Sequence, residues 1–426
     1  MLNLLVILLT ILTPQEIERR TAIDFNKRLS DLMPYIQKYY PNVDSAQIAQ
    51  WEESKALEYT IIDGEKRYFR RADENLFRID PEAKALKTHL EGKERAGRDE
   101  VTKRHIQQVL SESQNEEHLY ARHEWDFKFW LYFTPKANLE DGELIKVWLP
   151  MPQTEQRRQT NIAVKHANRN IELNSGEHSV AYMEGNFDAN TNTQFEVTYS
   201  FTTYAEYNPL PRCFNHRKAD PNNPELKQHL GERAPHCLFT DNIKALADSI
   251  VGNERRPYYQ ARKLFAAIRQ LYPWAGACEY SIIPNIPEYV IENRHGDCGQ
   301  VTLLYIAMCR YLGIPARWQS GFMLHPGWDN LHDWCEIYIE GMGWIPVDVS
   351  FGVQQWGKTD AERYFYFGGI DAYRLIINTD WGAELSPAKQ FERSEIVDFQ
   401  RGECETTTRN LYFDEWRSRF TVTLKQ

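Results

Sequence analysis

Hydrophobic residues recur along this chain with two different periods, and the first region has the helical one. Residues 15–120 include EIERRTAIDFNKRLSDLMPYIQKYY, in which apolar positions return at helical spacing until Pro41-Asn42. One predicted hairpin interrupts this helical pattern at Asp63-Gly64, a pair that suits a turn needing positive φ. The pattern predicts a mostly helical N-terminal region with a hairpin over 15–120.

The period changes to two in the next region, residues 121–206. EWDFKFWLYFT, ELIKVWLPMP and TQFEVTYSFTTY alternate apolar and polar positions, and turns rich in Gly, Asn and Asp separate them. Short strands of this kind predict a small β-sandwich. The high aromatic content of the chain, with 12 Trp, 23 Tyr and 20 Phe, agrees with β-rich modules.

A Pro- and Asn-rich connector at 207–239 is the clearest domain boundary. Helical segments and then strand-like segments follow, so we expect a further domain at 240–390, and 391–426 is predicted to be a C-terminal β segment. Runs of helices followed by runs of strands indicate an α+β fold rather than a doubly wound parallel sheet.

Charge and the N-terminus limit the partners of the chain. A net charge of −10 argues against a general nucleic-acid or anionic-membrane binder, because both need a basic surface. The apolar run MLNLLVILLTIL is shorter than the about 20 residues of a membrane span. Residues 1–14 are therefore a candidate signal segment, although no Lys or Arg precedes the run. We expect no integral membrane span and favour export to the periplasm or cell surface over a cytoplasmic location.

The strongest chemical signal is Cys298, which begins a predicted helix. Gly296-Asp297 supply a flexible joint and a capping side chain before it, and Gly313 and Pro315 end the helix. A thiol in the first turn feels the positive end of the helix dipole, which favours the thiolate. A cysteine in this position is a candidate nucleophile rather than core filler.

His332 and Asp348 are the predicted partners of that nucleophile, on two strands joined by the turn 340–343. If Tyr338 opposes Trp344 in this hairpin, then Asp348 lies diagonal to His332 on the same face. A register slipped by one residue would place Asp348 on the other face. A carboxylate in this phase can orient an imidazole beside a cysteine nucleophile.

Other residues were weighed for the same site. His295 and His325 are competing bases. Local spacing gives His295 no reason to reach the sulfur, and His325 lies in the loop LHPGWDN, a candidate cleft lining. Asp333 is expected to face away from the His332 side of its strand and is not assigned a role. The candidate for a second oxyanion donor, beside the Cys298 backbone N–H, is the indole of Trp274, although core packing is the preferred interpretation of this residue.

A metal site is the alternative chemistry. Cys213 and His216 have the spacing of zinc ligands, but His236 and Cys237 are adjacent in sequence, which is awkward for a tetrahedral centre. No EF-hand pattern indicates calcium. We therefore predict no metal and no cofactor.

The segments HGDCGQVTLLYIAMCRYLGIPARWQSGF and HDWCEIYIEGMGWIPVDVSFG together resemble the core domain of bacterial transglutaminase-like proteins. Cys298, His332 and Asp348 fall on the catalytic cysteine, histidine and aspartate of that family. The resemblance implies a papain-like α+β core and acyl transfer through a thioester. Two departures are Asp333, where a small residue is usual, and Val349, where proline is common.

The resemblance implies a cysteine-dependent peptidase, amidase or acyltransferase that acts on a protein or peptide substrate. We favour hydrolysis over transfer to an amine, since water is always present and no feature indicates a lysine tunnel. The alternative is a non-enzymatic binding or scaffold module of the same fold, with a cell-surface polymer as its candidate partner.

Overall fold

The computed structural model describes residues 12–92, 96–113, 119–211, 214 and 217–425. They form a mixed α+β structure with several antiparallel sheets, which confirms the predicted fold class. The candidate signal segment lies almost wholly outside the described residues. In the part of the chain that is described, no helix is both long and apolar enough to cross a bilayer.

The described residues of the N-terminal region form six helices and one hairpin. They are α1 (Pro14–Asp24), α2 (Leu29–Ile36), α3 (Ser45–Glu53), β1 (Tyr59–Ile62), β2 (Glu65–Tyr68), α4 (Ala72–Ile79), α5 (Pro81–Glu91) and α6 (Ala96–Glu112). Ile62 pairs with Glu65 across Asp63-Gly64, and Asp63 has a φ of 51°, so the predicted hairpin is confirmed.

Two antiparallel sheets pack face to face after this region. Their strands are β3 (Leu119–Phe133), β4 (Leu144–Pro150), β5 (Gln159–Ala167), β6 (Ile171–Asn174), β7 (Val180–Asn186) and β8 (Gln194–Tyr207), joined later by β12 (Gly369–Ile370), β14 (Glu403–Thr406) and β15 (Trp416–Leu424). Buried side chains alternate along β3 at Trp125, Phe127, Phe129 and Leu131, as the period of two predicts. The C-terminal strand β15 pairs with β3, so the end of the chain completes the first sheet.

The remaining elements form a four-stranded antiparallel sheet and the helices around it. They are α7 (Pro224–Lys227), α8 (Asp241–Val251), α9 (Pro257–Leu271), α10 (Ile286–Asn293), α11 (Cys298–Tyr311), β9 (Ala316–His325), β10 (Trp328–Ile339), β11 (Gly343–Val347), α12 (Asp360–Arg363) and β13 (Arg374–Asn378). The strand order is β11-β10-β9-β13. Helix α11 contacts β9 and β10, and its residues from Gly299 to Arg310 are all buried.

The regions share their cores. Leu32, Trp51 and Phe77 of the N-terminal region belong to the same buried cluster as Leu303 of α11. Phe322 of β9 packs in the core of the two sandwich sheets. Apolar side chains from both sides of the predicted boundaries pack in shared cores. The boundaries at 120, 206, 239 and 390 therefore stay predictions from the sequence.

Candidate active site

Cys298 is the first residue of α11, and a reciprocal cap fixes the turn before it. The Asp297 carboxylate accepts a hydrogen bond from the Gln300 N–H at 3.0 Å, and the Gln300 side chain accepts one from the Asp297 N–H at 3.1 Å. The predicted cap is confirmed. Cys298 is partly exposed, so the nucleophile candidate is held by a buried helix without being sealed from solvent.

The β10–β11 hairpin has the register that the sequence predicts. Tyr338 pairs with Trp344. Asp348 directly follows β11, and its Oδ2 lies 2.8 Å from Nε2 of His332. The predicted neighbourhood of histidine and carboxylate is therefore confirmed. An Nε2–H that donates to Asp348 leaves Nδ1 as the basic nitrogen of the ring.

Asp348 is completely buried, and several donors stabilise its charge. The backbone N–H groups of Ser350 and Phe351 each donate to Oδ1 at 3.0 Å, and Nη2 of Arg374 lies 3.1 Å from Oδ2. Burial alone would raise the pKa of this carboxyl, but the charges of His332 and Arg374 hold the pKa below its ordinary value. Asp348 is therefore the ionised partner of the imidazole.

The imidazole of His332 is neutral in this arrangement. Burial lowers its pKa, and the opposing attraction of Asp348 does not fully compensate. The ring packs edge-on against Phe351, with centroids 5.3 Å apart. A neutral, oriented imidazole is the form that can accept a proton from a thiol.

Arg374 is a site residue that sequence reasoning missed. It is fully buried and bridges Asp348 to Asp371, whose Oδ2 lies 2.8 Å from Nη2. His325, one of the competing bases, lies on the far side of this bridge, with Nε2 3.6 Å from Asp371. Arg374 begins a strand outside the recognised motif, so no local spacing connected it to Asp348.

Asp333 requires a correction. Strand alternation does place it on the face opposite His332, but α11 covers that face. As a result, Sγ of Cys298 donates a hydrogen bond to Oδ2 of Asp333 over 3.1 Å. Within the described residues no hydrogen bond joins this sulfur to His332. Asp333, for which the sequence pattern indicates no role, is therefore in direct contact with the candidate nucleophile.

The surroundings of the sulfur favour the thiol over the thiolate. Partial burial, followed by the negative charges of Asp333 and Asp297, raises the pKa of Cys298 well above its ordinary value. Burial and the charge of Asp297 raise the pKa of Asp333 to about 8. The helix dipole was expected to favour a thiolate, and in this arrangement the acidic neighbours outweigh it.

The remaining candidates lie around the entrance to α11. His295 is buried edge-on against Tyr289, and neither ring nitrogen has a hydrogen-bond partner among the described residues. The backbone of Trp274 bridges to Gly296, and the Arg78 guanidinium lies 5.1 Å from its ring. Trp274 is thus next to the nucleophile turn, and its role as an oxyanion donor stays a prediction.

The structure describes only two of the four candidate zinc ligands. Cys213 and His216 lie outside the described residues. His236 accepts a hydrogen bond from the Ile286 N–H through Nδ1 at 3.3 Å, which engages one of its two nitrogens. No group of three or more His, Cys, Asp or Glu suited to a metal ion occurs in the described ranges.

Residues 244–349 match the family model of the transglutaminase-like superfamily. This stretch contains Cys298, His332 and Asp348, and it lies within the α-helices and antiparallel sheet just described. The chain therefore carries a transglutaminase-like core domain, as the motif resemblance implied.

Curated relatives match a part of the chain. The peptide-N(4)-(N-acetyl-beta-glucosaminyl)asparagine amidase of Macaca fascicularis is 30% identical over 129 residues, which are 29% of this chain and 16% of that protein. The Homo sapiens protein of the same name is 29% identical over 129 residues, with the same two shares. The chain thus spans about a sixth of the length of these curated relatives.

Solved structures also resemble the chain. A candidate cysteine protease from Cytophaga hutchinsonii aligns with a TM-score of 0.47 and 15% identity, covering 72% of this chain and 92% of that one. Red sea bream transglutaminase aligns with a TM-score of 0.25 and 11% identity, covering 73% and 64%.

Proposed function

We propose that this protein is a cysteine-dependent amide hydrolase in which Cys298 is the nucleophile, His332 the proton carrier and Asp348 the orienting carboxylate. The observation that carries the proposal is the 2.8 Å contact between His332 and Asp348, in a domain whose nucleophile helix begins at Cys298. A buried carboxylate that fixes an imidazole tautomer is the part of a triad least expected in a purely structural module.

The proposed reaction begins with a proton transfer. Nδ1 of His332 takes the thiol proton while Sγ of Cys298 attacks the carbonyl carbon of an amide, forming a C–S bond. The C–N bond then breaks as the imidazolium of His332 gives its proton to the leaving amine or ammonia. Water, deprotonated by His332, attacks the resulting thioester, and the carboxylic acid leaves with the thiol restored.

The developing oxyanion needs donors that are already in place. The Cys298 N–H at the start of α11 is one candidate, because the first backbone N–H groups of a helix have no partner within the helix. Trp274 stays the candidate for the second donor. Its backbone bridge to Gly296 keeps it near the turn that carries the nucleophile.

A peptide or protein carboxamide is the proposed substrate class. The names of the curated relatives support amide hydrolysis, since they are peptide-N(4)-(N-acetyl-beta-glucosaminyl)asparagine amidases. Hydrolysis is preferred to amine transfer because water needs no dedicated acceptor site. If the chain is exported, a cell-surface polymer with peptide bonds is a substrate of the right chemistry.

The second candidate function is a non-enzymatic binding module. One observation favours it: in the part of the chain that the structure describes, cavities of about 420 and 550 Å³ are lined by residues other than Cys298 and His332. A module of this kind would keep the fold and would tolerate loss of the thiol.

Turnover of carboxamide substrates tests the proposal. Wild type and Cys298→Ala would be incubated with a library of peptides containing Asn and Gln, with and without a primary amine, and products read by mass spectrometry. Cys309→Ala, in the same helix but in the core, is the matched control. Ammonia or peptide release that Cys298→Ala alone abolishes would support hydrolysis, whereas amine incorporation would indicate transfer. Equal turnover in all three proteins would overturn the proposal.

A further inference from the structure

The segment Ser394–Arg401 covers the side of the nucleophile helix that faces Asp333. Gln400 is its contact residue, because its Nε2 donates to Oδ1 of Asp333 at 2.7 Å and to the backbone oxygen of His332 at 2.9 Å. Gln400 is buried, as is Asp398 beside it. One side chain of the C-terminal part thus contacts both the acid beside the sulfur and the backbone of the proposed proton carrier.

Asp333 is held from three directions. Its Oδ2 accepts from the Cys298 thiol, its Oδ1 accepts from Gln400, and its carboxyl also contacts that of Asp398. Two buried carboxyls in contact cannot both be ionised at low cost, so the pair retains a proton. Burial, followed by the charge of Asp333, accordingly raises the pKa of Asp398 well above its ordinary value.

The covering segment is itself anchored at both ends. The N–H groups of Ser394 and Glu395 donate to the carboxylate of Glu403 at 3.0 and 2.9 Å. At the other end, Arg401 pairs with Glu279 at 2.5 Å, one residue before the 3-10 turn Tyr280–Ile282. These contacts fix the position of Gln400 and therefore that of Asp333.

We propose that Asp333, positioned by Gln400 and Asp398, holds the Cys298 thiol away from His332 in a resting state that must be released before acyl chemistry begins. The proposal rests on the proposed function, since it assigns His332 as the partner the thiol gains on release. Asp333 is a positioning residue, and the segment Ser394–Arg401 is the element whose displacement frees it.

Two further observations agree with a resting state. Neither cavity reaches the sulfur, yet Glu279 and Arg401 both line the cavity of about 420 Å³. Each of these residues is next in sequence to a residue of the site. The hydroxyl of Tyr280, which follows Glu279, donates to Asp297 at 2.6 Å, and Gln400, which precedes Arg401, donates to Asp333. A ligand in this cavity would contact Glu279 and Arg401, the ion pair that anchors the covering segment.

Charged and titratable groups surround Asp333 on every side, and a pH-dependent measurement must take them into account. They are Asp297 and Cys298 at the start of α11, Tyr280 on the preceding 3-10 turn, His332 on β10, and Glu395, Asp398 and Arg401 on the covering segment.

Alkylation of the nucleophile in the intact protein tests the proposal. The rate of iodoacetamide labelling of Cys298 at pH 7 would be followed by peptide mass spectrometry in wild type, Asp333→Ala and the control Asp329→Ala. Asp329 is an exposed acid on the same strand. We expect Asp333→Ala to be labelled about tenfold faster than wild type, because one tenfold step corresponds to loss of a hydrogen bond of ordinary strength. Asp329→Ala should match wild type.

A double variant separates release towards His332 from simple exposure. If the freed thiol gains His332 as its base, adding His332→Ala to Asp333→Ala returns the labelling rate to near the wild-type value. A gain that persists in the double variant would overturn the proposal. The labelling rate of wild type should rise between pH 6 and 9. Most of this rise should be absent in Asp333→Ala, because the imidazole of His332 then supplies the base.

Gln400→Ala guards against a folding defect caused by Asp333→Ala, since it keeps the side chains of both Asp333 and Cys298. It should raise labelling by a smaller factor, about threefold, consistent with loss of one neutral hydrogen bond shared between two acceptors. If Gln400→Ala and Asp333→Ala both fold and both label at the wild-type rate, the proposal is wrong. Labelling does not require turnover, so this result is distinguishable from a failure of the proposed hydrolysis.

Discussion

The two sides of the candidate site are positioned by different structural features. On the hairpin side, His332 and Asp348 meet through sheet register, and their contact at 2.8 Å follows from pairing Tyr338 with Trp344. On the helix side, Cys298 meets Asp333 because α11 lies over one face of β10. Neighbours within a sheet are fixed by the local period, whereas neighbours between a helix and a sheet depend on how the two surfaces dock.

This difference explains the error over Asp333. The alternation of β10 places it opposite His332, which is correct, but the face that α11 covers decides what it contacts. The hairpin side is therefore an ordered, charge-balanced network, and the helix side is a resting contact between a thiol and an acid. Changes on each side should have different consequences.

The largest expected effect comes from the hairpin side. Asp348→Asn keeps the shape of the side chain but removes the charge that orients His332, and in the best-studied triads this costs about 10⁴ in kcat. We expect a loss of about 10³–10⁴ in kcat/KM for the carboxamide substrate found by library turnover, with the fold retained by circular dichroism. Asp329→Asn is the control. Activity within tenfold of wild type would mean that Asp348 does not orient the proton carrier.

Arg374→Met should give the next largest effect, on stability. Removing this buried cation leaves Asp348 and Asp371 without their shared partner, which costs about 3–5 kcal/mol of unfolding free energy. Arg28→Met is the control, because Arg28 pairs with Glu65 at an exposed position and should cost about 0–1 kcal/mol. Urea unfolding measures both variants, and equal losses would show that the network does not stabilise the fold.

The pH dependence of that loss has a definite sign. The pKa of Asp348 and that of Asp371 both lie below their ordinary values in the folded protein. Depressed carboxyl pKa values add stability above the unfolded pKa of about 4, and this stability disappears as pH falls through the folded values. The difference between wild type and Arg374→Met should therefore be largest near pH 7 and shrink in acid. A gap that widens in acid would contradict this assignment.

Several features were predictable from sequence alone because they depend on residues close along the chain. The cap at Asp297, the turn at Asp63-Gly64 and the register that joins His332 to Asp348 are of this kind. Arg374 and Gln400 could not be predicted, since they reach the site from strands and segments whose docking has no local signal. The strength of the acidic surroundings of Cys298 likewise depends on residues from three separate segments.

Gly321→Ala should have a moderate effect on the sheet. Gly321 pairs with His332 and with Ile376, and a Cβ there would overlap the backbone oxygen of Leu375 on β13. Because backbone cannot yield as a side chain does, we expect a loss of about 1–3 kcal/mol by thermal or urea unfolding. Gly327→Ala is not a matched control because of its positive φ. Gly176→Ala serves instead, because an added Cβ would lie 3.7 Å from the nearest atom, an ordinary van der Waals contact. No loss relative to Gly176→Ala would contradict the described packing.

Gly299→Ala should have the smallest effect on stability and should raise the reactivity of Cys298. A Cβ at this position would crowd the hydroxyl of Tyr280 and Oδ2 of Asp333, so the Asp333 carboxyl must move away from the start of α11. Alanine also favours the helix by up to about 1 kcal/mol over glycine. We expect stability to change little and iodoacetamide labelling of Cys298 to rise about twofold to threefold. A slower labelling rate would show that Asp333 is not displaced.

The most direct test of the proposed chemistry is to trap the acyl group on the nucleophile. An active carboxamide peptide would be mixed with wild type or His332→Ala, quenched in acid within seconds, and digested for mass spectrometry. We predict an adduct on the Cys298 peptide of wild type that hydroxylamine removes, as expected for a thioester, and little or none in His332→Ala. Turnover without any adduct on Cys298, or an adduct formed equally in His332→Ala, would contradict the assignment of these residues.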